Sequence, residues 1–179
     1  FTTPLVSVTS RSLSVQTIRV LIAEIALAID TAHSLGYVGL DLSLETVHLT
    51  PDNHILLTTP IGLVLQTPLS LKYLAPEVIQ KQVPTHATDF WSLGVCLFHL
   101  AFSQPPFTEP NRVKLFSDIL NETIVFPHRA PPDIQTTTSD LLEKEPTLRC
   151  SSTAALFSHQ LFTGLDFDLL KAAKLHVTV

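Results

Sequence analysis

Methionine is absent from this sequence of 179 residues, cysteine occurs twice, glycine five times, and only 15% of the residues are charged. Each scarcity excludes something. Cys96 and Cys150 lie far apart and in no Cys-x-x-Cys pair, which excludes a disulfide scaffold and a cysteine metal site. They read as reduced thiols of a cytoplasmic or nuclear protein. The glycines at 36, 39, 62, 94 and 164 form no glycine-rich phosphate loop. The 11 lysines and arginines, against 16 aspartates and glutamates, make no basic stripe, so nucleic acid is not an expected partner. Long apolar runs are missing: Glu24 breaks the stretch from Val20 to Ile29, and His99 the stretch from Leu93 to Phe102. Both fall short of the roughly 18–20 apolar residues of a membrane span, and no signal peptide opens the chain. None of the 8 histidines stands at His-Glu-x-x-His or His-x-His spacing with a carboxylate alongside, so no metal is expected. No Gly-x-Ser-x-Gly elbow supports a serine hydrolase. A chain that opens at Phe1 without an initiator methionine is expected to be a fragment.

What is present is a chain 45% apolar, enough for one domain that buries roughly 70% of its unfolded surface. Ile18, Leu21, Ile22, Ile25, Ile29 and Ala32 recur at helical spacing and predict a helix over Val15 to Leu35, with Ser14 as N-cap and Gly36 as C-cap residue. Val47-His48-Leu49 and Ile55-Leu56-Leu57 flank the turn sequence Thr50-Pro51-Asp52-Asn53 and predict a β-hairpin. His86 to Phe102 is apolar on every side and predicts a buried helix. Shorter helices are predicted over Asn111 to Asn121, Gln135 to Lys144 and Ser152 to Gln160, with prolines 105, 106, 127, 131, 132 and 146 as breakers between them. The segment Phe1 to Ser14 has no clear pattern. The fold class is mainly α.

Three strings carry more specific information. Ser34 to Val47, reading Ser-Leu-Gly-Tyr-Val-Gly-Leu-Asp-Leu-Ser-Leu-Glu-Thr-Val, resembles the catalytic loop of a eukaryotic protein kinase and the helix end before it. Tyr73-Leu74-Ala75-Pro76-Glu77-Val78 resembles the motif that closes the activation segment. Asp89-Phe90-Trp91-Ser92-Leu93-Gly94-Val95 resembles the start of the central buried helix. Gln104-Pro105-Pro106-Phe107, Glu145-Pro146-Thr147-Leu148-Arg149 and His159-Gln160-Leu161-Phe162 follow in the same order as in that family. Leu165 to Leu170 is similar to the start of the AGC-group tail, the group that includes the ribosomal S6 kinases. The resemblance covers the whole chain and implies the large, C-terminal kinase lobe over 1–179, with the N-terminal lobe outside this chain. Its parts would be a catalytic-loop remnant at 37–47, an activation-segment remnant at 60–77, a helical subdomain at 86–162 and the tail start at 163–179.

The resemblance also implies roles. Glu77 and Arg149 would form a buried ion pair joining the activation segment to the late helices. Asp89 would brace the Gly39-Leu40-Asp41 turn, and Trp91 would fill the core beside it. Asp41 stands at the catalytic base, either as a remnant of it or as a loop residue bonding local amides. Ser70 stands where the family keeps a threonine near that base.

Other positions depart from the family pattern. Its His-Arg-Asp triplet is Gly39-Leu40-Asp41 here, so the phosphate-gripping arginine is a leucine. The lysine two positions after the base is Ser43, and the metal-binding asparagine is Thr46. The Asp-Phe-Gly metal motif falls on Pro60-Ile61-Gly62, where proline offers no side-chain oxygen to hard Mg²⁺. Ahead of Asp41 the only cations are Arg11 and Arg19, leaving no candidate for the strand lysine that pairs nucleotide phosphates. With Leu40 in place of the arginine, control by activation-loop phosphorylation is not expected.

The expectation is therefore a pseudokinase-like scaffolding or regulatory module that binds other proteins, among them an active kinase or a larger assembly, and takes no cofactor. The alternative is a divergent serine/threonine kinase represented by its C-terminal lobe. Residues near the chain start, the hairpin from Val47 to Leu57 and Ile61 to Leu65 are expected to form an apolar face that needs covering, by a small lobe outside this chain, another protein or self-association, unless alternation turns half of these side chains into the lobe's own core.

Overall fold

The computed structural model describes residues 2–9, 13–52, 54–58 and 71–171. Helix α1 (Val15–Ser34) starts where the Ser14 hydroxyl accepts the Thr17 N–H at 3.0 Å, an N-cap that occupies one orphan donor. It ends in a Schellman motif. Tyr37 N–H donates to the Ala32 carbonyl and Gly36 N–H to that of His33, while Gly36 takes φ +84°, a conformation that a side chain would strain. Ile18, Leu21, Ile22, Ile25 and Ile29 all face the core.

The hairpin strands are β2 (Val47–Leu49) and β3 (Ile55–Leu57), paired antiparallel with His48 opposite Leu56. The sheet has a third strand that periodicity did not mark. β1 (Thr3–Pro4) lies on the far side of β2, pairing Thr3 with Leu49 and Pro4 with His48, and leads into a 3-10 turn over Leu5–Val8. Proline fits there because an edge strand can dispense with one donor. Val47 and Leu49 are buried, whereas Leu56 remains 42% exposed. The alternation thus turns part of the hairpin inward and leaves Leu56 outside; Ile61, Leu63 and Leu65 lie outside the described residues.

The helical half is built on α3 (His86–Phe102). It opens on a capping box between Thr85 and Thr88, and every residue from Ala87 to Phe98 is buried. Around it stand the short α2 (Pro76–Ile79), α4 (Arg112–Asn121) capped by Asn111, α5 (Pro132–Leu141), α6 (Thr153–Phe157) capped by Ser152, and α7 (Phe167–Lys171). Helix α5 begins three residues before the predicted start at Gln135. Pro132 occupies its first turn, where a missing N–H costs nothing and the fixed φ favours the helix. It also stops at Leu141, before Lys144, and the carbonyls of Glu143 and Lys144 beyond it accept from the Arg149 side chain. The stretch predicted as one helix from Ser152 is α6 followed by a separate 3-10 turn over Gln160–Phe162. Where α3 crosses α5, a Cβ on Gly94 would lie 2.7 Å from Leu141 Cβ, so the absence of a side chain sets the approach of the two helices. Among the described residues, no helix is long and apolar enough to cross a membrane.

Candidate functional site

The turn between α1 and β2 is held from α3. The Asp89 carboxylate, 1% exposed, accepts the Gly39 N–H at 3.0 Å and the Leu40 N–H at 2.7 Å. These two amides lie in a turn with left-handed backbone at Gly39, φ +69°, and Asp41, φ +48°, and take the carboxylate as their partner. The same carboxylate meets His33 Nε2 at 2.8 Å, and the His33 ring stacks on His86 with centroids 4.1 Å apart. His33 was not among the residues singled out from the sequence. Its signal would have been a polar ring on the last turn of α1, and nothing in the pattern tied it to Asp89.

Within the loop itself the polar positions close on one another. Leu40, at the place of the family's phosphate-gripping arginine, is buried in the core. Ser43 is fully buried and Thr46 nearly so. The Thr46 hydroxyl accepts the Ser43 N–H at 3.0 Å and lies 3.2 Å from the carbonyls of Asp41 and Ser43, while the Ser43 hydroxyl accepts the Thr46 N–H at 3.3 Å. Asp41 is half-buried at the rim of this knot. Between it and Tyr73, Leu74, Ala75 and Asp89 remains a cavity of only about 10 Å³, room for one water molecule at most.

The Ala75-Pro76-Glu77 segment is fastened by Glu77, whose carboxylate receives both terminal nitrogens of Arg149 and the Thr88 hydroxyl at 3.0 Å. Burial pushes the Glu77 carboxyl up, but hydrogen bonding and charge from Arg149 outweigh it and hold the group below its usual range. The Arg149 guanidinium lies 5.1 Å from the centre of the Trp91 ring, and Lys144 Nζ is equally near that ring and 4.6 Å from the Phe107 centroid. Lys144 Nζ also donates to the Ile119 carbonyl, and burial pulls its ammonium down to about 8. Two residues before Ala75, the Tyr73 hydroxyl meets His99 Nδ1 at 2.7 Å. Burial raises the phenol well above its ordinary value and lowers the imidazole below its own, so the bond joins a protonated Tyr73 to a neutral His99. The sequence pattern assigns no partner to Thr88, His99 or Lys144, because each acts on a group brought near only by the fold.

Asp41, Asp89, Trp91, Glu77 and Arg149 therefore lie around one junction of α3 with the loops on either side. Ser70 and Pro60-Ile61-Gly62 lie outside the described residues. The Thr46 hydroxyl is engaged inside its own loop, and among the described residues no group of three His, Cys, Asp or Glu could hold a metal ion.

These features coincide with comparisons to known proteins. The protein kinase domain model matches residues 3–162. A RAC family serine/threonine-protein kinase homolog of Dictyostelium discoideum is 32% identical over 161 residues, covering 83% of this chain and 36% of its own length. Serine/threonine-protein kinase Sgk1 of Danio rerio is 33% identical over 169 residues, covering 86% of this chain and 38% of its own length. Ribosomal protein S6 kinase alpha-3 of Homo sapiens is 28% identical over 169 residues, covering 87% of this chain and 23% of its own length. The chain belongs to the protein kinase family, with AGC-like relatives, and its mainly helical fold with a small sheet is that of the kinase C-terminal lobe. It spans well under half the length of these relatives.

Proposed function

We propose that this chain is a pseudokinase-type module that binds and regulates or scaffolds other proteins without transferring phosphate. The carrying observation is the closed Ser43–Thr46 knot. Two positions that in the family face the phosphate and the second metal are here buried and hydrogen-bonded to their own loop. Phosphoryl transfer rests on positioned phosphates, held Mg²⁺ and an oriented nucleophile. Of these, Asp41 alone could orient a hydroxyl, and Leu40, in the core, leaves no basic grip for an activation-loop phosphate. The same reading gives Glu77, Arg149, Asp89 and Trp91 a purely architectural role. An active kinase or a larger assembly is the kind of partner a kinase-shaped scaffold would take, in the cytoplasm or nucleus. The second reading, a divergent serine/threonine kinase, is favoured by the presence of an aspartate at position 41 and by the names of the relatives. Calorimetric titration with Mg-ATP separates the two. No saturable heat at millimolar nucleotide is expected, and saturable binding together with phosphate transfer to a peptide would establish the kinase.

A further inference from the structure

Lys144 is a cation with few partners. Its ammonium donates to the Ile119 carbonyl at 2.5 Å and lies over the Phe107 and Trp91 rings, 4.6 and 5.1 Å from their centres. An ammonium carries three donors. That carbonyl is its one hydrogen-bond acceptor among the described residues, and no carboxylate among them stands within ion-pair distance of it. The charged groups around it are Glu143 and Arg149 on its own loop and Glu122 after α4, while Glu77 of α2 is committed to Arg149. Half-buried and held by one hydrogen bond, the amine is drawn toward its neutral form, its ordinary value lowered to about 8. A neutral amine still donates an N–H to Ile119 and gains a lone pair, which makes it a nucleophile.

The same residue forms part of the wall of a cavity of about 450 Å³ between α2, the end of α4 and the loop after α5. Leu120 and Pro146 give this cavity apolar walls, and Glu143 and Glu145 give it acidic ones. These surroundings discriminate among the adducts that a lysine amine forms. Carbon dioxide would leave a carbamate anion near Glu143 and Glu145, against like charge. An aldehyde would leave an imine, whose nitrogen has no hydrogen for the Ile119 carbonyl. An acyl thioester leaves a neutral amide, which keeps one N–H for that carbonyl and adds no charge.

We propose that Lys144 is an acylation site, which takes a short uncharged acyl group from an acyl thioester and houses it in the cavity between α2, α4 and the loop after α5. The amine nitrogen attacks the thioester carbonyl carbon. The N–C bond forms as the C–S bond breaks, and sulfur leaves as a thiol with the proton that nitrogen gives up. The reaction removes the positive charge that lies over Trp91 and Phe107. It does not depend on whether the chain transfers phosphate.

Incubation of the folded chain with acetyl coenzyme A tests this, the acetylation rate of each lysine being read by peptide mass spectrometry. At about pH 8, Lys144 is expected to react about tenfold faster than the exposed Lys81: its neutral fraction is about a hundredfold larger, and a less basic amine gives back about tenfold in nucleophilicity. The Lys144 rate should level off above about pH 8, whereas that of Lys81 keeps rising to about pH 10. In the urea-unfolded chain the preference should vanish. Succinyl coenzyme A, whose acyl group is anionic, should modify folded Lys144 severalfold more slowly than acetyl coenzyme A. Lys144 reacting no faster than Lys81 in the folded chain overturns the proposal, and so does the same preference in the unfolded chain. Equal or faster reaction with the succinyl thioester overturns the choice of an uncharged acyl group.

Discussion

Arg149 uses all of its guanidinium N–H groups inside the lobe. Two meet the Glu77 carboxylate at 2.8 and 3.0 Å, and the others reach the carbonyls of Ala87 at 2.8 Å, Glu143 at 2.7 Å and Lys144 at 3.1 Å. Both side chains are almost completely buried. A charge so enclosed is held by its partners and cannot reach water if one of them is removed.

Glu77→Ala and Arg149→Ala are therefore each expected to destabilise the fold by about 3–5 kcal/mol, since each strands one buried charge. The double variant should lose less than the sum, because removing the second partner removes the stranded charge. Urea unfolding midpoints of the four proteins at constant slope measure this; additive effects below about 1 kcal/mol would contradict the burial of the pair.

Asp89→Ala removes the acceptor of two buried amides and a partner of His33. An unsatisfied buried donor costs about 1–3 kcal/mol, so a loss of about 2–5 kcal/mol is expected. Amide exchange should rise at Gly39 and Leu40 while α5 keeps its protection. Unchanged exchange at those two residues would show that the turn holds without its brace.

Gly94→Ala places a methyl group against Leu141 and Leu142 at distances no relaxed packing allows. Neighbouring Cβ atoms cannot rotate away, so α3 and α5 must separate, at about 1–3 kcal/mol. Thermal unfolding measures the loss. An unchanged midpoint would mean the crossing adjusts freely.

The Tyr73–His99 bond gives a pH dependence whose sign follows from the lowered imidazole. Folding holds His99 neutral below its ordinary value of 6.5, so the unfolded chain takes up a proton first as pH falls. This contribution is fully present above about pH 6.5 and is lost as the pH drops through and below that value. His99→Gln is expected to flatten the slope of stability between pH 7 and 5, with Glu77 dominating only further into acid because its own value is lowered. An identical slope in wild type and His99→Gln would contradict a His99 held neutral by folding.

Much of this lobe could be read from the chain alone, because its information is local. The 3.6-residue spacing marked α1, the largely apolar stretch from His86 to Phe102 marked α3, and the turn residues between two short apolar runs marked β2 and β3. Ordered motifs at separated positions then tied the chain to the kinase family. Tertiary structure decided the rest. Thr3–Pro4 became a strand only because β2 offered an edge. The start of α5 moved to Pro132 because a helix tolerates proline in its first turn. Sequence named Leu40, Ser43 and Thr46 as departures from a catalytic pattern. That Leu40 packs in the core and that the two hydroxyls close on their own loop depends on φ angles at Gly39 and Asp41, together with a carboxylate reaching across from α3. Periodicity reports which face of an element is apolar; it carries no term for the distance between groups that folding alone brings within hydrogen-bond reach.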